Sequence, residues 1–291
     1  MKQLTDDELI AELKDRFAFN LKALVDLREM TAKLEVMNSR LQESEAVKGH
    51  FLSNIRNEIN NPLTSIMGLS SQYFGGKFDP ERYAEVSRMI YLEAFHLDFQ
   101  LQNIFMAAEL EAGEAEPAFS KVDIKTIVDR VVDAFNYQIK EKNISISVHM
   151  PDEFVFPTDA RMLKLVLSNM LANAAEFCAE KGEIYISATV GANGMLLEIY
   201  DNGVGIDPVD QKTIFDRFMQ LDNGTTKGHR GHGLGLSIVA ALVELMGGSL
   251  TLESKIGHGC RIFIHLPETT TPVQDSAQGG NLFLFDDVEQ F

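Results

Sequence analysis

Tryptophan is absent from this sequence, cysteine occurs only twice, and basic residues are scarce. Two cysteines, Cys178 and Cys260, cannot form the framework that staples small secreted domains. Their spacing also matches no metal-ligand pattern, so they read as incidental thiols in a reducing compartment. With 26 Lys plus Arg against 43 Asp plus Glu, the net charge is -17. That balance excludes a broad electrostatic grip on nucleic acid or an anionic membrane, while leaving room for a local basic pocket. No stretch approaches the ~20 unbroken apolar residues of a membrane helix. The start, MKQLTDDELIAEL, is acidic where a secretory signal is basic and then apolar. These absences lead to the expectation of a cytoplasmic protein with no membrane span and no nucleic-acid partner. What is present is an ordinary globular balance, 45% hydrophobic and 24% charged, over 291 residues, enough for two modest domains.

Residues 7–75 read as helix, with no proline before Pro62. Met30, Leu34, Met37, Leu41, Ser44, Lys48, Phe51 and Ile55 alternate steps of four and three, a seam with two polar interruptions that asks for a partner helix. The run GGKFDPERY breaks the pattern, and a second helix is expected from about Pro80 to Leu110, with Val86, Ile90, Leu97, Leu101 and Ile104 on one face. An antiparallel hairpin of two amphipathic helices cannot cover both apolar stripes, so a homodimeric four-helix bundle is the natural solution. After the acidic loop EAGEAEP the period changes. Helices are expected at 122–139, 159–179 and 234–246. Strands are expected at ISISVHM, EIYISATV, MLLEIYD, SLTLES and CRIFIHL. This is an α+β sandwich, helices on one face of a mixed sheet. From Glu268 the composition is that of a linker, ending in the acidic-apolar LFLFDDVEQF, which reads as a frayed tail or a docking peptide.

The glycines of the second half carry most of the chemistry. DNGVGI, Asp201 to Ile206, follows a strand, and GHGLGLSIV, Gly231 to Val239, opens a helix. Glycine lets backbone approach a ligand closely, and a helix N-terminus offers amides to phosphate. MQLDNGTTKGHR lies between them as a polar loop suited to cover a nucleotide. Upstream, NMLANAAEF sets Asn169 and Asn173 four apart on one helical face, and an amide oxygen is a hard ligand suited to Mg²⁺.

In this order the motifs resemble those of the histidine kinases of two-component signalling. The N box is similar to NMLANAAEF, the first Gly box to DNGVGI, the Phe box to IFDRF (Ile214 to Phe218), the second Gly box to GHGLGL, and the third to GHG at 257–259. FLSNIRNEINNPLTSIMGLS resembles the H box on the first helix of the dimerisation hairpin. The resemblance spans about residues 45–268. It implies a multidomain α and α+β chain, an antiparallel helical hairpin followed by an α/β sandwich of the histidine-kinase ATPase type. The implied division is an N-terminal signalling helix over 1–45, the hairpin over 46–112, the ATP-binding domain over 119–268 and a tail over 269–291. By resemblance Asn173 ligates Mg²⁺ on the ATP phosphates with Asn169 beside it, Asp201 accepts the adenine amino hydrogen, and Phe177 stacks on the ring. Gly203, Gly205, Gly231, Gly233 and Gly235, with Leu234, shape the pocket, and Arg217, Lys227 and Arg230 are placed to meet phosphates. The related gyrase-type ATPases use a Glu one turn before the Mg²⁺ Asn to activate water. Here that position is Asn169, which cannot take a proton at neutral pH, so the pocket suits holding ATP for transfer.

Two departures alter the expectation. The H box S-H-E-[IL]-R-T-P here reads Arg56-Asn57-Glu58-Ile59-Asn60-Asn61-Pro62, with Asn57 in the place of the phosphoaccepting His. An amide nitrogen's lone pair is delocalised into the carbonyl and attacks phosphorus poorly. His50, seven residues earlier and ~10 Å away along the helix, is a displaced acceptor at best and more simply an exposed polar residue. Glu58 keeps the acidic residue after the acceptor. Asn61 stands where the family uses Thr or Asn to orient water against a response regulator's aspartyl phosphate, although an Asn before Pro is also a common turn residue. In the N box, Glu176 replaces the usual Lys. A carboxylate about 5 Å from phosphate costs roughly 3 kcal/mol at an effective dielectric of 20 unless it points away.

The expected function is therefore a histidine-kinase-like regulator that binds Mg-ATP, cannot phosphorylate itself, and acts as a homodimer on a response regulator or partner histidine kinase. Two alternatives are an active kinase phosphorylating a partner His in trans, and a nucleotide-independent dimeric scaffold.

Overall fold

The computed structural model describes residues 6–75, 79–215 and 233–269. It divides into two compact units, residues 1–60 and 61–291. The element order is α1 (Asp6–Gly75), α2 (Pro80–Ala112), β1 (Ser120–Asp123), α3 (Ile124–Glu141), β2 (Ser145–His149), β3 (Val155–Thr158), α4 (Ala160–Phe177), β4 (Glu183–Gly191), β5 (Gly194–Asp201), a 3-10 turn (Asp210–Lys212), α5 (Gly235–Leu245), β6 (Ser249–Ser254) and β7 (Cys260–Leu266).

In the first unit, α1 presents apolar side chains to the surface, among them Phe17, Leu24, Met30, Leu34 and Met37. Met30, Leu34 and Met37 belong to the expected seam. Side chains at Leu41, Ser44, Lys48 and Phe51 lie outside the described set, as do those of His50 and Glu58.

In the second unit, α2 begins where Asp79 accepts from the Arg82 amide at 2.8 Å, with Pro80 at the first helical position. It ends at Gly113 in the left-handed conformation, φ 69°, which permits the Schellman-type closure onto Glu109 and Leu110. Besides the expected stripe, α2 carries a second buried face. Phe95 and Phe99 stand edge-on to Phe135 of α3, with centroids at 5.3 and 5.9 Å. Arg88 lies over Tyr137, His96 bonds Gln138, and Glu109 pairs with Arg161 at 3.0 Å.

Five strands form one mixed sheet in the order β2-β4-β5-β7-β6, with β2 and β4 parallel and the other pairs antiparallel. Alternation directs Ile184, Ile186, Ala188, Leu197, Ile199, Ile262 and Ile264 into the core, under the buried stripes of α3, α4 and α5. Each fully buried Leu or Ile contributes about 1.5–3 kcal/mol. The opposite face carries Tyr185, Tyr200 and Arg261 in one cross-strand row.

The structure corrects the expected elements at several ends. β1 and β3 form a separate two-stranded antiparallel sheet that periodicity over four residues was too short to reveal. The helix expected from 122 begins at Ile124, because Asp123 caps it through the Thr126 amide. The helix expected from 159 begins at Ala160, because Asp159 is its cap through the Met162 amide at 2.8 Å. That helix stops at Phe177 rather than 179.

Candidate functional site

Three elements converge on the site: the α4 face carrying the two N-box asparagines, the end of β5 with its glycine loop, and the N-terminus of α5. Asp201 is the last residue of β5 and is 8% exposed. Burial pushes its carboxyl above the usual carboxylate range, while the Gly203 and Cys260 amides draw it part of the way back. Its Oδ1 accepts from the Gly203 amide at 2.8 Å. Phe177, the final residue of α4, is 39% exposed, an aromatic edge left open on an otherwise buried helix.

The loop after Asp201 is pinned from several sides. The Val204 amide donates to the Phe177 carbonyl at 3.3 Å and the Gly257 amide to the Val204 carbonyl at 2.7 Å. The Ile206 amide donates to Ser254 Oγ at 2.9 Å, and Gln211 Nε2 donates to the carbonyls of Ile206 and Ser254 at 3.0 and 2.8 Å. Glycine is required where chains cross most closely. At Gly259, φ 80°, a Cβ would stand 1.8 Å from the Asp201 carbonyl oxygen, and at Gly205, φ 69°, 2.0 Å from that of Lys255. The third glycine motif thus supports the first.

Asn169 is 3% exposed, and its Nδ2 donates to Leu165 O at 2.9 Å and to Asn103 Oδ1 at 2.7 Å. Asn173 is half-buried one turn further along α4. Gly235 opens α5 after buried Leu234, whose side chain makes no capping bond, and a helix N-terminus of this kind offers backbone amides suited to an anion. A Cβ at Gly235 would stand 2.7 Å from Asn169 Oδ1. The fold brings Asn169 to Gly235, and Phe177 and Asp201 to Gly203, with Asn173 one turn further along α4, Gly205 in the loop after Asp201, and Gly233 and Leu234 just before α5. Arg217, Lys227, Arg230 and Gly231 lie outside the described residues.

Chemically, the arrangement offers a recessed carboxylate for an exocyclic amine, an aromatic face for a flat ring, and amide groups for phosphate. Among the described residues, no group of three or more His, Cys, Asp or Glu is placed to hold a metal ion. The donors present fit a hard cation shared with phosphates: an Asn oxygen beside a glycine whose missing Cβ leaves room. Burial pushes both thiols up, and the nearby Asp201 carboxylate acts in the same direction.

On α1, Asn57 and Asn61 are both exposed. Sequence reasoning did not find Asn103, or Lys142, whose ammonium donates to the carbonyls of Ala175 and Glu176 at 2.7 and 2.5 Å. Only a polar residue on the apolar face of α2 hinted at the first. Among the described residues, no helix is long and apolar enough to cross a membrane.

Residues 158–270 match the family described as histidine kinase-, DNA gyrase B- and HSP90-like ATPases. The chain is 27% identical over 274 residues to the circadian input-output histidine kinase CikA of Synechococcus elongatus, covering 90% of this chain and 36% of that protein. It is 30% identical over 232 residues to the histidine protein kinase DivJ of Caulobacter vibrioides, covering 78% of this chain and 38% of that protein. The chain thus spans less than two fifths of the length of these relatives. Among solved structures, full-length ShkA in complex with AMPPNP superposes with a TM-score of 0.54 at 26% identity, covering 74% of this chain and 45% of that one.

Proposed function

We propose that this chain carries the core of a sensor histidine kinase and works in a two-component pathway as an Mg-ATP-binding regulator that does not phosphorylate itself. The observation that carries the nucleotide half is the recessed Asp201 carboxyl on the glycine loop that packs against the end of α4 at half-exposed Phe177, with Asn169 at the start of α5. In this reading Asp201 accepts the adenine amino hydrogen and Phe177 covers the ring. Asn169, Asn173 and the α5 amides receive the phosphate end, with Arg217, Lys227 and Arg230 as further cations. Asn173 would hold Mg²⁺, which would supply charge neutralisation at the phosphates. Asn169 cannot act as a general base, so the site holds ATP rather than hydrolysing it.

The regulatory half rests on Asn57, an exposed amide on α1 where the resemblance expects a nucleophilic imidazole. Its partners are a second copy through the helical hairpin and a response regulator or partner kinase. The Asn61 amide, also exposed, is suited to orient water against a regulator's aspartyl phosphate, a reaction that needs no His. In this reading the ATP-binding domain works in the cytoplasm, where its ligand is.

Calorimetry with Mg-ATP tests the first half, and absence of binding would leave only a scaffold. The second half is tested by incubating wild type and Asn57→His with γ-labelled ATP. Label is expected on the imidazole and none on the wild type; acid-labile label on the wild type would overturn the proposal.

A further inference from the structure

The second buried face of α2 reaches the candidate nucleotide site through the side chain of Asn103. Asn103, 6% exposed, lies against Asn169, 3% exposed. Asn103 Nδ2 donates to Phe99 O at 3.0 Å, and Asn169 Nδ2 donates to Leu165 O at 2.9 Å. A backbone carbonyl only accepts, so each carbonyl fixes which end of its amide is nitrogen. The Asn103 oxygen then faces Asn169 and takes its second N–H at 2.7 Å. Both hydrogens of Asn169 are spent on protein acceptors. Its oxygen remains, and it lies at the start of α5, 2.7 Å from where a Cβ on Gly235 would stand.

We propose that Asn103 is a positioning residue for the nucleotide site. By accepting the second N–H of Asn169, it holds that amide with its oxygen toward the α5 N-terminus, where the cation and phosphates of a Mg-nucleotide are received. The inference rests on the ATP reading above and adds to it a wall contributed by the hairpin's second helix. Without Asn103, a buried N–H loses its acceptor, and the amide turns to recover one, carrying its oxygen away from the ligand. The contact also makes the site sensitive to α2. A slip of one residue along a helix is about 1.5 Å, enough to break this bond. Phe99 against Phe135 and Glu109 against Arg161 hold α2 in the register that keeps it.

The test uses the full chain and compares wild type, Asn103→Leu and Asn103→Ala by calorimetry with two probes, Mg-AMPPNP and adenosine. Mg-AMPPNP is expected to bind both variants about tenfold more weakly, one hydrogen bond's worth. Adenosine, which meets Asp201 and Phe177 alone, should bind as it does to wild type. Unchanged Mg-AMPPNP affinity, or an equal weakening of adenosine, overturns the proposal, the latter marking a general loss of packing. On the wild-type chain, NMR should find the Asn169 side-chain amide protons protected from exchange and shifted when Mg²⁺ joins bound AMPPNP. Fast exchange there overturns the proposal even if neither variant folds. A wild type that ignores Mg-AMPPNP defeats the ATP reading itself, whereas tight wild-type binding with indifferent variants defeats Asn103 alone.

Discussion

Lys142, at the C-cap of α3, donates its ammonium to the carbonyl oxygen of Glu176 in the last turn of α4 at 2.5 Å. The same group reaches the carbonyls of Ala175 at 2.7 Å and Cys178 at 3.4 Å. A cation here satisfies the open carbonyls of a helix C-terminus and complements its dipole. That turn ends in Phe177, so the lysine also fixes the base from which the ring projects. Lys142→Met keeps the aliphatic stem and removes the charge. It is expected to lower stability by about 1–2 kcal/mol in urea unfolding and to weaken adenosine binding. An unchanged midpoint would show that solvent replaces the lysine.

Asp201 links binding to pH. The unfolded chain titrates this group near 3.8, and burial lifts it in the folded chain. Between those values the folded state holds a proton that the unfolded state has lost, so stability from this group is full below about 3.8 and falls as pH rises through the raised value. Burying the ionised form of this carboxyl costs stability. Asp201→Asn is therefore expected to raise the melting midpoint at pH 7 and to flatten its pH dependence in the acid range. It should weaken Mg-ATP by about 10- to 100-fold in calorimetry. A variant that melts lower than wild type would reverse the sign of this argument.

Glu176 lies three residues beyond Asn173 and seven beyond Asn169, on their side of α4. Glu176→Lys removes a negative charge from the phosphate end and adds a positive one. An affinity gain of about tenfold for Mg-ATP is expected, shrinking as salt is raised. Equal affinity at low salt would mean that this side chain does not sense the phosphates.

Gly259 tests the pinned loop. Alanine there combines a left-handed φ of 80° with a Cβ 1.8 Å from the Asp201 carbonyl. A loss of about 3 kcal/mol is expected in urea unfolding. At Gly113, φ 69°, nothing lies within 4 Å of the added Cβ, so alanine should cost about 1 kcal/mol. Similar losses at both would remove the steric part of the argument.

Asn61→Ala tests the water-orienting role proposed for α1. Mixed with an aspartyl-phosphorylated response regulator, the wild type should accelerate loss of the phosphoryl group and the variant should not. Equal rates would leave Asn61 as an exposed helical residue before Pro62.

Much of this architecture was legible in the sequence because it is periodic. α1 and α2 were bounded to within two residues, since long amphipathic runs and a Pro after Asp79 state their limits locally. The five strands of the main sheet alternate strongly enough to be read one by one. β1 and β3 were not, because each is four residues long and gains meaning only from the other.

The sequence alone determined the glycine runs, the asparagines of α4, and the presence of an amide at Asn57 where the resemblance expects an imidazole. These are facts of residue chemistry at fixed spacing. The tertiary structure alone decided that Asn103 meets Asn169 across 66 residues and that Lys142 closes α4 across 34. The reason is that local period says which face of a helix turns inward. Which partner waits there is set by how three helices and a sheet share one core, and buried polar groups must then find each other to be satisfied.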